Sequence, residues 1–241
     1  MTVSVDLPTP ERVLAIGAHP DDIEFGCGAT LAKWSAAGAH VTMCVLTDGA
    51  KGTWDRAADT AKLVEARTRE QRAAAAVLGA QATVLLGFAD GELRTDAAGI
   101  EALCRVIRDT RPDVVLAHDP WKQYRLHPDH GHAGHLAVAG IVNARDPHFF
   151  PEHGNAPHRP CTLLCFEPGR IDHVERVDGF VERKIEALLA HRSQWRSTMG
   201  IADDPEREVA AFARGLRDEA RADGVRAGVR AAEAFARIDD L

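Results

Sequence analysis

Four short apolar runs, each leading through a polar loop into a helical pattern, constrain what this chain can fold into. The runs occupy 12–18, 41–47, 83–88 and 113–117 and are rich in Val, Leu and Ile. Between them, apolar residues recur at helical spacing over 23–37, 59–78 and 96–110. Gly38 and Gly79 stand where helix C-caps are expected, and Arg111-Pro112 closes the third helix. Thr95 or Asp96 is placed to cap its start. Alternating β and α units imply a mostly parallel sheet with right-handed crossovers. Nearly continuous apolar strands imply helices on both faces. A chain of 241 residues, 45% hydrophobic, can bury such a core, so 1–241 reads as a single Rossmann-like α/β domain.

The second half is less regular. A fourth helix is expected from Pro128, with His127 near the cap. The Pro/His/Gly-rich segment 143–160 reads as a long loop, and loops of that kind are often functional, so it is expected near the substrate site. Residues 161–167 suggest a strand, 181–191 a helix and 204–222 another helix ended by Asp223-Gly224. The terminal AAEAFARI either extends that helix or forms a last strand. A net charge of −7 argues against a nucleic-acid partner, and no apolar run is long enough to span a membrane. The first residues lack the basic start and apolar centre of a signal peptide. Five cysteines, odd in number and mostly within apolar segments, read as reduced thiols of a cytoplasmic protein. Apolar helix faces suit either the sheet or a second subunit, which leaves a homo-oligomer open.

In open α/β sheets ligands bind beyond the carboxyl ends of the strands. The loops that matter are therefore 18–24, 47–58, 88–94 and 118–130. The first would be glycine-rich in a dinucleotide-binding protein; here it is His19-Pro20-Asp21-Asp22, bulky and acidic, which would repel pyrophosphate. The loop after the fourth strand carries His127-Pro128-Asp129-His130. A catalytic zinc takes three protein ligands plus water, and His19, Asp22 and His130 could supply them. Asp21 would then be free to take a proton from the water. The competing reading is structural: carboxylates at a helix start are favoured by the dipole and the free N–H groups. Eight of the twelve histidines lie between His118 and His158, a pointer to metal or acid–base chemistry. His118 ends the fourth strand near the site. His132 and His135, at i+2 and i+5 from His130, do not share its face and read as surface or packing residues. Asp48 is placed to meet substrate or to cap its loop, and Trp54 and Trp121 to wall the pocket or pack loops.

AHPDD followed by HPDH resembles the PIG-L/LmbE-like N-deacetylases, which include enzymes of the mycothiol and bacillithiol pathways and of glycosylphosphatidylinositol synthesis. LTDGAKG, RTREQRAAAAVLG, FADGEL, LAHRSQW and AEAFARI extend the resemblance over nearly the whole chain. It implies a divalent metal, usually zinc with Fe2+ as an alternative, on His19, Asp22 and His130. It implies Asp21 as general base, His127 as oxyanion stabiliser or proton donor to the amine, and Asp129 as the residue that orients and charges His127. Arg67 and Asp90 would contact substrate hydroxyls; the alternatives are an exposed Arg67 paired with Glu70 and a turn-forming Asp90. Some members use a tyrosine two residues before the first histidine of HPDH; here Arg125 stands there and Tyr124 one step earlier, a departure from the pattern. The expected activity is hydrolysis of an N-acetyl or other N-acyl group from an amino sugar or related small-molecule amide. A thiol-conjugate amidase and an antibiotic-pathway deacylase would use the same site. A catalytically silent metal-containing binding protein is the alternative of another class, opposed by the full set of Asp21, His127 and Asp129.

Overall fold

The computed structural model describes residues 3–241. In chain order the elements are β1 (Ser4–Val5), β2 (Arg12–Gly17), α1 (Asp22–Ala36), β3 (His40–Thr47), α2 (Thr60–Leu78) and β4 (Ala82–Phe88). Then come α3 (Ala97–Thr110), β5 (Val114–His118), α4 (Pro128–Arg145), β6 (Thr162–Phe166), β7 (His173–Arg176), α5 (Val181–Leu189), α6 (Pro205–Ala227) and β8 (Ala232–Asp239). The strands form one sheet in the order β1-β7-β8-β6-β5-β2-β3-β4. Every neighbouring pair is parallel except those made by β8, which runs antiparallel between β6 and β7. The mostly parallel α/β domain expected from the strand–helix alternation is therefore present.

Period-two alternation explains the layers. Val13 and Ala15 of β2 pack on one face with Leu31 and Trp34 of α1, Leu78 of α2 and Ala187 of α5. Leu14 and Ile16 pack on the other with Leu103 and Ile107 of α3 and Leu136 and Ile141 of α4. β2 lies between β3 and β5, so the sheet's switch point falls beside it, and the loops after β2 and β5 meet there. The caps act as expected: Asp96 accepts from Gly99 N, Gly79 ends α2 at a φ of 77°, and Pro128 opens α4 after His127.

Helix α1 is broken inside. Cys27 has φ −152° and ψ 19°, which separates a short first segment carrying Asp22 and Glu24 from the longer remainder. Two charged side chains hold the break. Glu233 on β8 accepts from Ala29 N at 3.1 Å and Thr30 N at 2.7 Å, so it caps the second segment. Lys184 on α5 donates to Phe25 O at 2.7 Å, the exposed carbonyl end of the first segment, and to Glu233 Oε1 at 2.8 Å. The last strand thereby sets the direction of the turn that begins at Asp22.

Two expectations need correction, and one open alternative is decided. α6 runs through Asp223-Gly224 and ends at Gly228, in the left-handed region at φ 70°. Gly224 is needed for closeness instead: a Cβ there would lie 2.7 Å from Val229 O, where the chain turns back into β8. Of the two readings of the terminal AAEAFARI the strand is the one adopted, with Ala232–Asp239 forming β8. The 143–160 segment is not near the loops of the carboxyl ends. α4 starts at that end, and its 18 residues, roughly 27 Å long, carry the chain to the opposite pole. There the carbonyls of Asn143, Ala144, Asp146, Phe149 and Phe150 surround the buried guanidinium of Arg108, and His158 Nε2 donates to Pro112 O. Of the cysteines, four are buried and Cys161 is exposed; all are free.

Arg108→Ala should leave these carbonyls without their charged donor. A loss of about 2–4 kcal/mol in urea unfolding is expected. An unchanged unfolding midpoint would contradict the anchoring role.

Candidate active site

β2 ends at Gly17, where a Cβ would approach Ile23 Cγ1 to 2.8 Å, so the chain can fold tightly from strand into helix. Asp21 stands at the turn with φ 91° and ψ −25°. That left-handed conformation costs a non-glycine residue about 1–3 kcal/mol. Its side chain makes no capping hydrogen bond, so the structural reading of Asp21 as a helix cap does not hold. Its Oδ2 is buried without a hydrogen-bond partner, 3.5 Å from Arg67 Nη2. Burial pushes the Asp21 carboxyl up to about 7, with Arg67 opposing and Asp22 adding to the rise.

Asp22 is the hub of the cluster. Its Oδ2 accepts from His19 N at 2.7 Å and lies 3.1 Å from His19 Nδ1 and 3.2 Å from His118 Nε2; its Oδ1 lies 3.3 Å from His130 Nε2. Burial would raise its pKa, but His130, His19 and His118 outweigh it and hold the carboxyl well below the usual range. Each imidazole turns its second nitrogen to another carboxylate. His19 Nε2 is 3.2 Å from both Asp90 Oδ1 and Asp129 Oδ2. His118 Nδ1 and His130 Nδ1 lie 3.2 and 3.7 Å from Glu167 Oε2, which Arg125 also holds at 2.7 Å. One imidazole nitrogen facing a common point and the other oriented by a carboxylate is the arrangement of metal-ligating histidines. Burial lowers the pKa of His19, yet Asp22, Asp129 and Asp90 raise it to about 12. The cluster thus demands positive charge, which a divalent cation can supply by displacing protons. The donors fit such an ion: His19 with His127 and His130, and Asp22 with His118 and His130, each bring ligand atoms within 4.8 Å of one another.

The cluster opens on a cavity of about 310 Å³ lined by His19, Asp21, Asp22, Lys51, Gly52, Arg67, Asp90, Gly91, His127, His130, Gln194 and Thr198. The expected metal residues, the expected base, His127, Arg67 and Asp90 therefore meet at one mouth. His127 packs edge-on to His19, with centroids 4.7 Å apart, and stacks on His130 at 5.0 Å. Partial burial, His19 and His130 lower its pKa. Asp129 does not hydrogen-bond His127 as expected. It accepts from Gly91 N at 2.7 Å and meets His19 instead, because residues at i and i+2 at a helix start do not face each other. Arg67 is buried and not paired with Glu70; it donates to Pro20 O at 2.6 Å and Gly49 O at 2.9 Å. Glu70 instead accepts from Ser193.

Asp48 lies outside the cavity lining. Its Oδ1 accepts from Ala50 N and Asp90 N, so it braces the loop that presents Asp90. Trp54 and Trp121 are 82% and 58% exposed and do not wall this cavity. His132 meets Thr95 Oγ1 and His135 packs near Trp121, as surface residues do. Tyr124 is 86% exposed, whereas Arg125 reaches Glu167. Sequence reasoning missed Glu167, Glu24, Gln71, His191 and Gln194. Glu167 directly follows β6, and counting that strand's loop among those at the carboxyl ends would have found it. Gln71 lies one turn after Arg67 on the apolar face of α2 with Ala74, Ala75 and Leu78, a sign of a buried polar group.

A family profile described as PIG-L, GlcNAc-PI de-N-acetylase, matches residues 14–141, more than half of the chain. The chain belongs to the PIG-L family. It is 31% identical to the diacetylchitobiose deacetylase of Thermococcus kodakarensis over 90% of this chain and 82% of that protein. It is 34% identical to a 1D-myo-inositol 2-acetamido-2-deoxy-alpha-D-glucopyranoside deacetylase of Catenulispora acidiphila over 59% of this chain and 52% of that one. The solved N,N'-diacetylchitobiose deacetylase of Pyrococcus horikoshii, an inhibitor complex, superposes with a TM-score of 0.85 at 30% identity. It covers 95% of this chain and 84% of its own. In this PIG-L chain, Glu167 and His191 lie beyond the profile match yet contact His118 and Glu24 inside it.

Glu167→Gln keeps every residue of the Asp22 cluster but removes the charge behind two imidazoles. Divalent-metal affinity, measured by competition with a chromophoric chelator, should fall about 10–100-fold. Unchanged affinity would contradict the outer-ligand role of Glu167.

Proposed function

We propose that this chain is a metal-dependent N-deacetylase that hydrolyses the N-acetyl amide of an amino sugar, or a closely related small-molecule amide, in the cytoplasm. The observation that carries this reading is Asp21. Asp21 lines the same cavity as the imidazole–Asp22 cluster, and its carboxylate carries a buried oxygen with no hydrogen-bond partner. The relatives named above, deacetylases of N-acetylated sugars, support the substrate class. No helix among the described residues is long and apolar enough to cross a membrane.

His19, Asp22 and His130 would hold the metal; two nitrogens and a carboxylate suit Zn2+, and Fe2+ accepts the same donors. When bound, the metal polarises the amide carbonyl and makes water a better nucleophile. Asp21 takes the proton of the attacking water. A carboxyl raised to about 7 can both accept that proton and give it back near neutral pH. His127, at the mouth, offers an N–H to the carbonyl oxygen as it gains negative charge. The C–N bond breaks, the proton held by Asp21 passes to the departing amine, and acetate is released. Asp129 hydrogen-bonds His19, whose orientation it holds, and its charge also favours a proton on His127 without a hydrogen bond between them. Asp90 borders the cavity as a hydroxyl contact, while Arg67, tied to two carbonyls, steadies the Asp21 turn from the cavity side. With 143–160 at the opposite pole, substrate selection falls to the lining segments that carry Lys51, Gly52, Gln194 and Thr198.

Asp21→Asn should bind metal as the parent does and lose about 10²–10⁴ in turnover. The assay is release of free amine from N-acetylglucosamine and N,N'-diacetylchitobiose, with metal analysis on the same preparation. Parental turnover in that variant would remove Asp21 from the role of base.

A further inference from the structure

Directly behind Asp21 lie two polar side chains with no access to solvent. Gln71 and Glu24 are both fully buried. Gln71 Oε1 accepts from the backbone N–H of Asp21 at 3.1 Å, and its Nε2 donates to Glu24 Oε1 at 2.6 Å. His191 Nε2 lies 3.4 Å from the same Glu24 oxygen. Neither Gln71 nor Glu24 lines the candidate active-site cavity. Burying a carboxylate and a carboxamide is costly unless they are partnered; one end of this chain of partners is the Asp21 backbone amide, and the other is His191 beside Glu24, whose Oε2 has no hydrogen-bond partner. That amide belongs to the residue with a left-handed φ of 91° and no side-chain cap.

We propose that Gln71 is a positioning residue for the hydrolytic reaction, holding Asp21 in its left-handed conformation, and that Glu24 selects which end of the Gln71 carboxamide faces Asp21. A carboxylate only accepts hydrogen bonds, so Glu24 draws the NH2 end of the carboxamide to itself. The oxygen is thereby turned to the Asp21 N–H; the flipped amide would set two donors against each other. Released from this hold, the Asp21 backbone relaxes toward negative φ and its carboxylate leaves the position from which it reaches water. A displacement of about 1 Å at a reacting group can cost about 10²-fold in rate. This inference rests on the reading of Asp21 as the base.

The test exchanges the two side chains. Gln71→Glu sets two carboxylates against each other. It should lower kcat by about 10–100-fold, with KM and metal stoichiometry within about twofold of the parent. In the double variant Gln71→Glu/Glu24→Gln, the new carboxylate at 71 still accepts from the Asp21 amide and the new carboxamide at 24 supplies the N–H, with the same net charge. Recovery of kcat to within about threefold of the parent is expected. A merely structural role would not give a kcat loss separated from KM and metal content and restored by the exchange. A double variant that folds but is no more active than Gln71→Glu overturns the orientation claim. Where Gln71→Glu does not fold, Gln71→Met, uncharged and similar in shape, should lose kcat in the same way; unchanged kcat there overturns the proposal. Asp21→Asn run alongside separates the two readings. If it is inactive while Gln71 variants keep parental kcat, the positioning role fails alone; if it is fully active, the base assignment fails and takes the positioning role with it.

Discussion

The carboxylate of Asp22, shared by His19, His118 and His130, is the interaction on which the carboxyl-end architecture depends. Three imidazoles converge on one side chain only because β2 and β5 are neighbours and end at the same level of the sheet. His19 follows β2, His118 ends β5, and His130 enters from the first turn of α4. Such crowding needs compensation. Asp90 and Asp129 on the His19 side, and Glu167 with Arg125 on the other, supply it. The result is a cluster whose electrostatics favour added positive charge at its centre.

The helix that carries Asp22 is held from two directions. Ahead of it, Gly17 lets the chain turn with no side chain in the way. Behind it, the break at Cys27 is closed by Lys184 and Glu233, which satisfy the backbone groups that a broken helix exposes. Glu233 lies in the last strand, more than two hundred residues from the turn it serves. The C-terminal part of the chain is thus part of the site's scaffold.

Much of the architecture was legible because local signals agreed with one another. The apolar runs, the cap at Asp96, Gly79 and Pro128 all stand where the structure has strand cores, helix starts and helix ends. β1 and β7, of two and four residues, are too short to leave a periodic trace. AAEAFARI was ambiguous because alanine favours helix, and only the slot between β6 and β7 makes it a strand. In the site, HPDD and HPDH were legible because each motif is contiguous. What they touch was not. Asp129 turns to His19 because helix geometry separates it from His127; Arg67 goes inside to carbonyls of two loops; Asp48 braces a neighbouring loop. Glu24, Gln71 and His191 come from three distant segments, and no spacing rule connects them. The 143–160 segment was misplaced because its composition resembles a functional loop, whereas the length of α4 decides which pole it occupies.

The most direct test of the account is acetate and amine release from N-acetylglucosamine saccharides by one preparation measured before metal removal, after it, and after Zn2+ is restored. Equal amounts of acetate and amine are predicted, lost when the metal is stripped and regained at about one ion per chain. Deacetylation that persists undiminished at a metal content far below one ion per chain would contradict the central claim.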